Sequence, residues 1–98
     1  MKETIARLVE AALAARPEIA DEVELASVGA DVERARDPRH GDFATNVALR
    51  LAKSLDRNPR ELAADLVAGL PESELVEEVS VAGPGFINFR VSRTALRR

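Results

Sequence analysis

The run from His40 to Asn46, HGDFATN, contains the residues whose types come nearest to acid–base chemistry. In a catalytic interpretation, His40 and Asp42 would form an acid–base pair. General acid–base catalysis also requires a nucleophile or a substrate pocket, and the sequence offers no third member for such a site. One histidine and no cysteine also fall short of the three or four ligands that a zinc site takes. We therefore predict no catalytic residue and no metal site, and a structural motif in which Gly41 turns the chain, Asp42 caps a helix and Phe43 packs beneath it.

The segment at residues 86–91, FINFRV, has the residue types that could bind a nucleic-acid base. The residues expected on its core face are Ile87, Phe89 and Val91. Strand alternation then sends Phe86, Asn88 and Arg90 to the other face. A ring or guanidinium plane stacks on an unpaired base with about 1 to 3 kcal/mol, and an amide can donate to and accept from a base edge. The residues alone leave open the alternative that a helix or loop covers this face and that Phe86 belongs to the core.

Three helices are predicted ahead of this segment. Apolar residues at i, i+3, i+4, i+7 and i+8 predict an amphipathic helix over residues 3–15. A second helix is predicted to begin in HGDFATN, with Asp42 as its N-cap, and to reach about Leu55. A third is predicted after Asn58, its N-cap, with Pro59 at the first helical position.

The hydrophobic period changes to two after Leu75, which predicts two strands joined by Gly83, Pro84 and Gly85. Pro84 and Gly85 suit the central positions of a type II turn, although that turn twists a tight hairpin the wrong way and a wider link is the alternative. A short extended segment is also expected at residues 31–35. Because helices precede the strands without regular alternation, we predict an α+β fold with a small antiparallel or mixed β-sheet and about three helices packed on one face.

Composition favours a single domain in a reducing compartment. The chain has 98 residues, of which 46% are hydrophobic and 32% charged, and it contains no cysteine. It has no apolar run near the about 20 residues that span a bilayer and no leader pattern at its start. These features predict a cytoplasmic protein without membrane contact.

The formal net charge of −3 argues against a domain that holds phosphate backbones by bulk electrostatics. A local basic concentration consists of Arg90, Arg93, Arg97 and Arg98. This cluster could form a basic edge that lies against phosphates, or it could be a solvated tail, and the sequence leaves both open.

Three runs, in this order, give the sequence a specific resemblance. They are His40–Asn46, Asn58–Ala63 and Val81–Phe89. Together they closely resemble the N-terminal additional domain of bacterial arginyl-tRNA synthetases. The resemblance extends from the opening helix to about Val91, so we expect a domain at residues 1–91 and the start of a linker or tail at residues 92–98.

The resemblance implies a domain that docks on the elbow of tRNA(Arg) and recognises a nucleotide of the D-loop. Phe86 and Asn88 match the aromatic and amide positions that family members set against that base, and Arg90 or the nearby arginines are expected to meet phosphate. The residues that match the turn presenting them are Gly83, Pro84 and Gly85. The HGDFATN residues, including His40 and Asn46, match a signature whose implied role is to brace the helix start against the hairpin.

The resemblance also implies a parent enzyme, a class I arginine–tRNA ligase whose ATP and arginine bind a catalytic domain that this sequence lacks. The expected partners are tRNA(Arg) and that catalytic domain, no cofactor is expected in this segment, and we expect a monomer. The sequence leaves open an excised domain or a free-standing relative. In the alternative function, a free-standing domain acts as a protein-interaction or homo-oligomerisation module through Phe86 or the sheet edge.

Overall fold

The computed structural model describes residues 2–16, 32–35 and 41–92. Its helices are α1 (Lys2–Ala14), α2 (Val47–Leu55) and α3 (Pro59–Ala68). Its strands are β1 (Val32–Arg34), β2 (Phe43–Thr45), β3 (Val76–Ala82) and β4 (Phe86–Val91). The predicted α+β class is confirmed, with three helices and four strands in the described residues.

The strands form one sheet in the order β1-β2-β4-β3, and each neighbouring pair is antiparallel. The prediction of an antiparallel or mixed sheet is thus resolved as antiparallel. Strand β4 lies inside the sheet between β2 and β3, whereas β3 forms an edge. The segment considered for base binding is therefore held by a hydrogen-bonded neighbour on each side.

The core lies between the helices and one face of this sheet. The helices bury aliphatic residues such as Ile5, Leu13 and Leu62, and the sheet contributes Ile87 and Phe89, all at most 1% exposed. The amphipathic helix predicted at residues 3–15 is confirmed, because α1 covers nearly those residues and buries one face. Burial of side chains of this size supplies about 1.5 to 3 kcal/mol each.

The predicted start of the second helix is wrong, and Asp42 is not its N-cap. Residues 43–45 form strand β2, and α2 begins only at Val47, whose N–H donates to Thr45 Oγ1 at 3.2 Å. Asn46 occupies the N-cap position without a side-chain capping bond. The apolar spacing that runs from Ala44 to Leu55 fits a helix, but residues 43–45 pair with β4, and tertiary pairing overrides a local helical pattern.

The predicted start of the third helix is confirmed. Asn58 Oδ1 accepts hydrogen bonds from the N–H groups of Arg60 at 2.9 Å and Glu61 at 3.2 Å. Pro59 stands at the first helical position, where a missing N–H loses no intrahelical bond. This end of α3 is therefore fixed by its own sequence.

The hairpin between β3 and β4 is confirmed, but its turn differs from the predicted one. The hydrogen-bonded turn runs from Ala82 to Gly85, whose N–H donates to Ala82 O at 3.3 Å. Its central residues are Gly83, with φ +57°, and Pro84, rather than Pro84 and Gly85. A positive φ at the first central position is the pattern of a type II′ turn, which matches the twist of a hairpin. Gly85 is a third loop residue, so the connection is longer than a two-residue hairpin loop, which is the alternative left open by the sequence.

Candidate nucleic-acid interface

Strand β4 places its side chains alternately on the two faces of the sheet, as predicted. Ile87, Phe89 and Val91 are buried in the core. Phe86 is 41% exposed and is the one large hydrophobic side chain exposed in the described part of the chain. The two other rings, Phe43 and Phe89, are 8% and 0% exposed. The alternative in which Phe86 belongs to the core is therefore wrong.

Asn88 is on the same face as Phe86 but is only 7% exposed. It lies in the middle of β4, opposite Ala44 on one side and Ser80 on the other. Phe86 is at the strand end, where β4 pairs with Ala82. Alternation alone predicts an open amide, but in the structure the amide is recessed.

Arg90 is half-buried and stands opposite Glu78 in the β3–β4 register. Opposite charges at facing positions of a sheet attract each other, so Glu78 offsets part of the Arg90 charge. Arg90 also lies four residues from Phe86, which corresponds to about 13 Å along a strand. Of the predicted basic edge, Arg93, Arg97 and Arg98 lie outside the described residues.

The hairpin loop is packed against the start of α3. Gly85 has φ +147°, and a Cβ atom added there would lie 2.9 Å from Pro59 Cβ. Arg60 Nη1 donates a hydrogen bond to Gly83 O at 3.1 Å. A Cβ atom added at Gly83 would be 3.6 Å from Phe86 Cδ2, so the ring lies beside the loop. Two helix residues thus hold the loop next to which the exposed ring stands.

Gly41 and Asp42 directly precede β2 and contact β4 on the side opposite β3. Asp42 N–H donates to Phe89 O at 2.8 Å, and Val91 N–H donates to Asp42 Oδ2, also at 2.8 Å. Gly41 has φ +142°, and a Cβ atom there would lie 2.9 Å from Phe89 O. These contacts connect the HGDFATN segment to the strand that carries Phe86. His40 lies outside the described residues.

Arg60 is a candidate that the sequence reasoning missed. Its position in the first turn of a capped helix indicates exposure but not contact with a loop 23 residues away. The contact follows from how α3 packs against the hairpin, and the dipeptide Pro59-Arg60 carries no local signal for it.

Within the described ranges, no group of three or more histidine, aspartate or glutamate residues could hold a metal ion. In the same ranges, no helix has the length and apolar character needed to cross a bilayer.

Comparison with known proteins identifies the family. The family model described as "Arginyl tRNA synthetase N terminal domain" matches residues 2–91. The chain belongs to this family. The family resemblance seen in the sequence motifs is therefore confirmed.

Several similar proteins are named arginine–tRNA ligase. The chain is 46% identical over 95 residues to the arginine–tRNA ligase of Thiobacillus denitrificans. This match covers 97% of the chain and 16% of that protein. It is 45% identical over 96 residues to the arginine–tRNA ligase of Pseudomonas syringae pv. tomato. This match covers 98% of the chain and 17% of that protein. The chain thus spans about a sixth of the length of these curated relatives.

The fold agrees with a solved synthetase structure. The arginyl-tRNA synthetase of Thermus thermophilus superposes with a TM-score of 0.75 and 28% identity, over 98% of this chain and 15% of that one. The Plasmodium falciparum enzyme superposes with a TM-score of 0.56 at 22% identity over 64% of this chain and 12% of that one, which shows the fold alone.

Proposed function

We propose that this arginyl-tRNA synthetase N-terminal domain binds the elbow of tRNA(Arg) and recognises a nucleotide of its D-loop. In this role Phe86 stacks on the base, Asn88 contacts a base edge and Arg90 faces the RNA backbone. Gly83, Pro84 and Gly85 present the ring. The domain thereby supports the attachment of arginine to tRNA.

The observation that carries the proposal is the exposure of Phe86. Two of the three rings are buried, whereas Phe86 leaves 41% of its surface in water. Full burial of a side chain of this size contributes about 1.5 to 3 kcal/mol, and the exposed part of Phe86 leaves a fraction of that contribution unused. An unpaired base would cover the ring and recover that free energy by stacking.

The net charge of −3 supports a domain that acts together with a larger protein. Phosphate contacts normally dominate affinity for nucleic acids, and this chain is short of positive charge. Its own affinity for RNA is therefore weak. Linked to other RNA-binding surfaces, the same contacts add to the total affinity through a high effective concentration.

In the proposed setting, the domain belongs to a class I arginine–tRNA ligase in the cytoplasm. ATP and arginine bind the catalytic domain of that enzyme, and this domain binds no cofactor. The relatives named arginine–tRNA ligase, about six times longer than this chain, support the proposal.

The test is an NMR titration of the labelled chain at low salt with unmodified tRNA(Arg), beside a transcript that lacks the D-loop base. We expect amide shifts at residues 85–90 with the first RNA and their loss with the second. Shifts of equal size with both RNAs would contradict base recognition. The absence of localised shifts at the highest RNA concentration would contradict elbow binding by this chain.

A second candidate function is a protein-interaction or homo-oligomerisation module. The observation in its favour is the edge strand β3, which can pair with another strand. Glu77 and Glu78 on that edge oppose pairing, since charged side chains on an edge repel a second copy. We therefore propose a monomer. Sedimentation at two protein concentrations tests it, and a mass that rises with concentration would favour the module.

A further inference from the structure

We infer that Arg60 binds the RNA phosphate next to the base that stacks on Phe86. This inference rests on the proposed function and assigns the phosphate contact to a residue outside strand β4. In this arrangement α3 supplies the positive charge and the hairpin supplies the ring.

The first argument is position. Arg60 Nη1 donates a hydrogen bond to Gly83 O, and a Cβ atom at Gly83 would lie 3.6 Å from the Phe86 ring. The guanidinium and the ring therefore both lie next to Gly83 of the loop. Arg90 is about 13 Å along the strand from Phe86, whereas Arg60 is hydrogen-bonded to the loop that the ring lies beside. Of these two arginines, Arg60 is better placed for the phosphate of the stacked nucleotide.

The second argument is charge. The partner of Arg60 is a neutral carbonyl oxygen, so that bond leaves its positive charge uncompensated. Ala63 and Ala64 occupy the helix positions three and four residues on, where a carboxylate would be closest. By contrast, Arg57 forms an ion pair with Asp65. Arg60 thus offers a charge that no carboxylate three or four residues on in α3 offsets.

The third argument is orientation. A guanidinium has five N–H donors, and the bond to Gly83 O uses one of them. That bond holds the planar group at the loop, so less side-chain entropy is lost when a phosphate binds. The side chain is exposed, and ligand access requires no rearrangement of the core.

The test measures binding of unmodified tRNA(Arg) to the 98-residue chain across a range of salt concentrations. The variants are Arg60→Gln, Arg60→Lys, and Arg34→Gln as the matched control. Arg34 is also exposed, but it lies on edge strand β1, two strands from β4. Each Gln substitution removes one positive charge. Phe86→Ala, measured in parallel, tests the proposed function by itself.

For Arg60→Gln we expect affinity at low salt to fall by about tenfold, the low end for a bond to a charged group. The slope of log affinity against log salt should become shallower by about 0.7 to 0.9. The loss should be equal for tRNA(Arg) and for the transcript lacking the D-loop base, because a phosphate contact carries no base information. Arg60→Lys should retain the slope, and Arg34→Gln should leave affinity and slope unchanged.

A purely structural role for Arg60 predicts a different result. Loosening the loop would misplace Phe86, so the loss would be confined to the RNA that has the base and the slope would not change. That outcome, or equal effects of Arg60→Gln and Arg34→Gln, overturns the inference while a loss with Phe86→Ala still supports the proposed function. Unchanged binding with Phe86→Ala instead contradicts the proposed function. If the unaltered chain shows no binding, both the inference about Arg60 and the proposed function are contradicted.

Discussion

At the scale of single residues, Phe86 and Phe89 are two rings of one strand with opposite surroundings, 41% and 0% exposed. We expect Phe86→Ala to lower RNA affinity by about 1 to 3 kcal/mol, since it removes a stacking surface. Its free energy of unfolding should fall by less than with removal of a fully buried ring, because 41% of the Phe86 surface is already exposed. Phe89→Ala, the matched control, should lower that free energy by about 3 to 5 kcal/mol. Urea unfolding and RNA titration of both variants provide the check, and equal destabilisation by the two would assign Phe86 to the core.

A second prediction at this scale concerns the glycines of the loop. Gly85→Ala places a Cβ atom 2.9 Å from Pro59 Cβ at φ +147°, whereas Gly83→Ala places one at an ordinary 3.6 Å from the Phe86 ring at φ +57°. Both substitutions strain the backbone, by about 1 to 3 kcal/mol. Gly85→Ala adds the clash and should be the more destabilising in urea unfolding. The reverse order would contradict the contact between loop and α3.

At the scale of elements, Asp42 in the HGDFATN segment has two possible roles, as a helix cap or as a hydrogen-bond acceptor for strand β4. As a helix cap, Asp42 would protect the first amides of α2, but in the structure its carboxylate accepts from Val91 N–H. Asp42→Ala should therefore increase hydrogen exchange at the Val91 amide, because a partly buried donor loses its partner, which costs about 1 kcal/mol, the low end for an unsatisfied buried group. Exchange in α2 should rise only with global unfolding.

The control for this prediction is Asn58→Ala, which removes a real cap. It should cost about 1 kcal/mol and raise exchange at Arg60 and Glu61, the amides that Asn58 binds. If Asp42→Ala instead raises exchange at Ala44 and Thr45, the amides that a cap at Asp42 would bind, and leaves Val91 protected, the sequence-based assignment of Asp42 as a cap is correct.

The elements also show which parts of the fold are readable from the sequence. The amphipathic spacing of α1, the cap and proline of α3 and the alternation of β4 are local patterns, and each is confirmed. The start of α2 is not readable, because residues 43–45 become a strand only when β4 supplies their hydrogen bonds. The outward direction of Phe86 follows from alternation. The recess of Asn88 and the reach of Arg60 depend on neighbours distant in sequence.

At the scale of the whole molecule, the net charge of −3 predicts how binding responds to salt. The proposed interface has two arginines near the RNA, Arg60 and Arg90, and each phosphate contact on a single strand contributes a slope of about −0.7. A plot of log affinity against log salt should therefore have a slope of about −1 to −2. By comparison, a domain that binds by bulk charge makes six to ten such contacts, and its slope of log affinity against log salt is about −4 to −9.

The measurement is RNA binding by the chain from low to physiological salt, with an Arg93→Gln, Arg97→Gln and Arg98→Gln triple variant as the control. A shallow slope that the triple variant leaves unchanged supports an interface limited to the hairpin and α3. A steep slope that the triple variant makes shallow would show instead that the C-terminal arginines form a basic edge against the phosphates. In that case the ring would act at the margin of a larger electrostatic contact, and Phe86→Ala would lose base discrimination while most of the affinity remained.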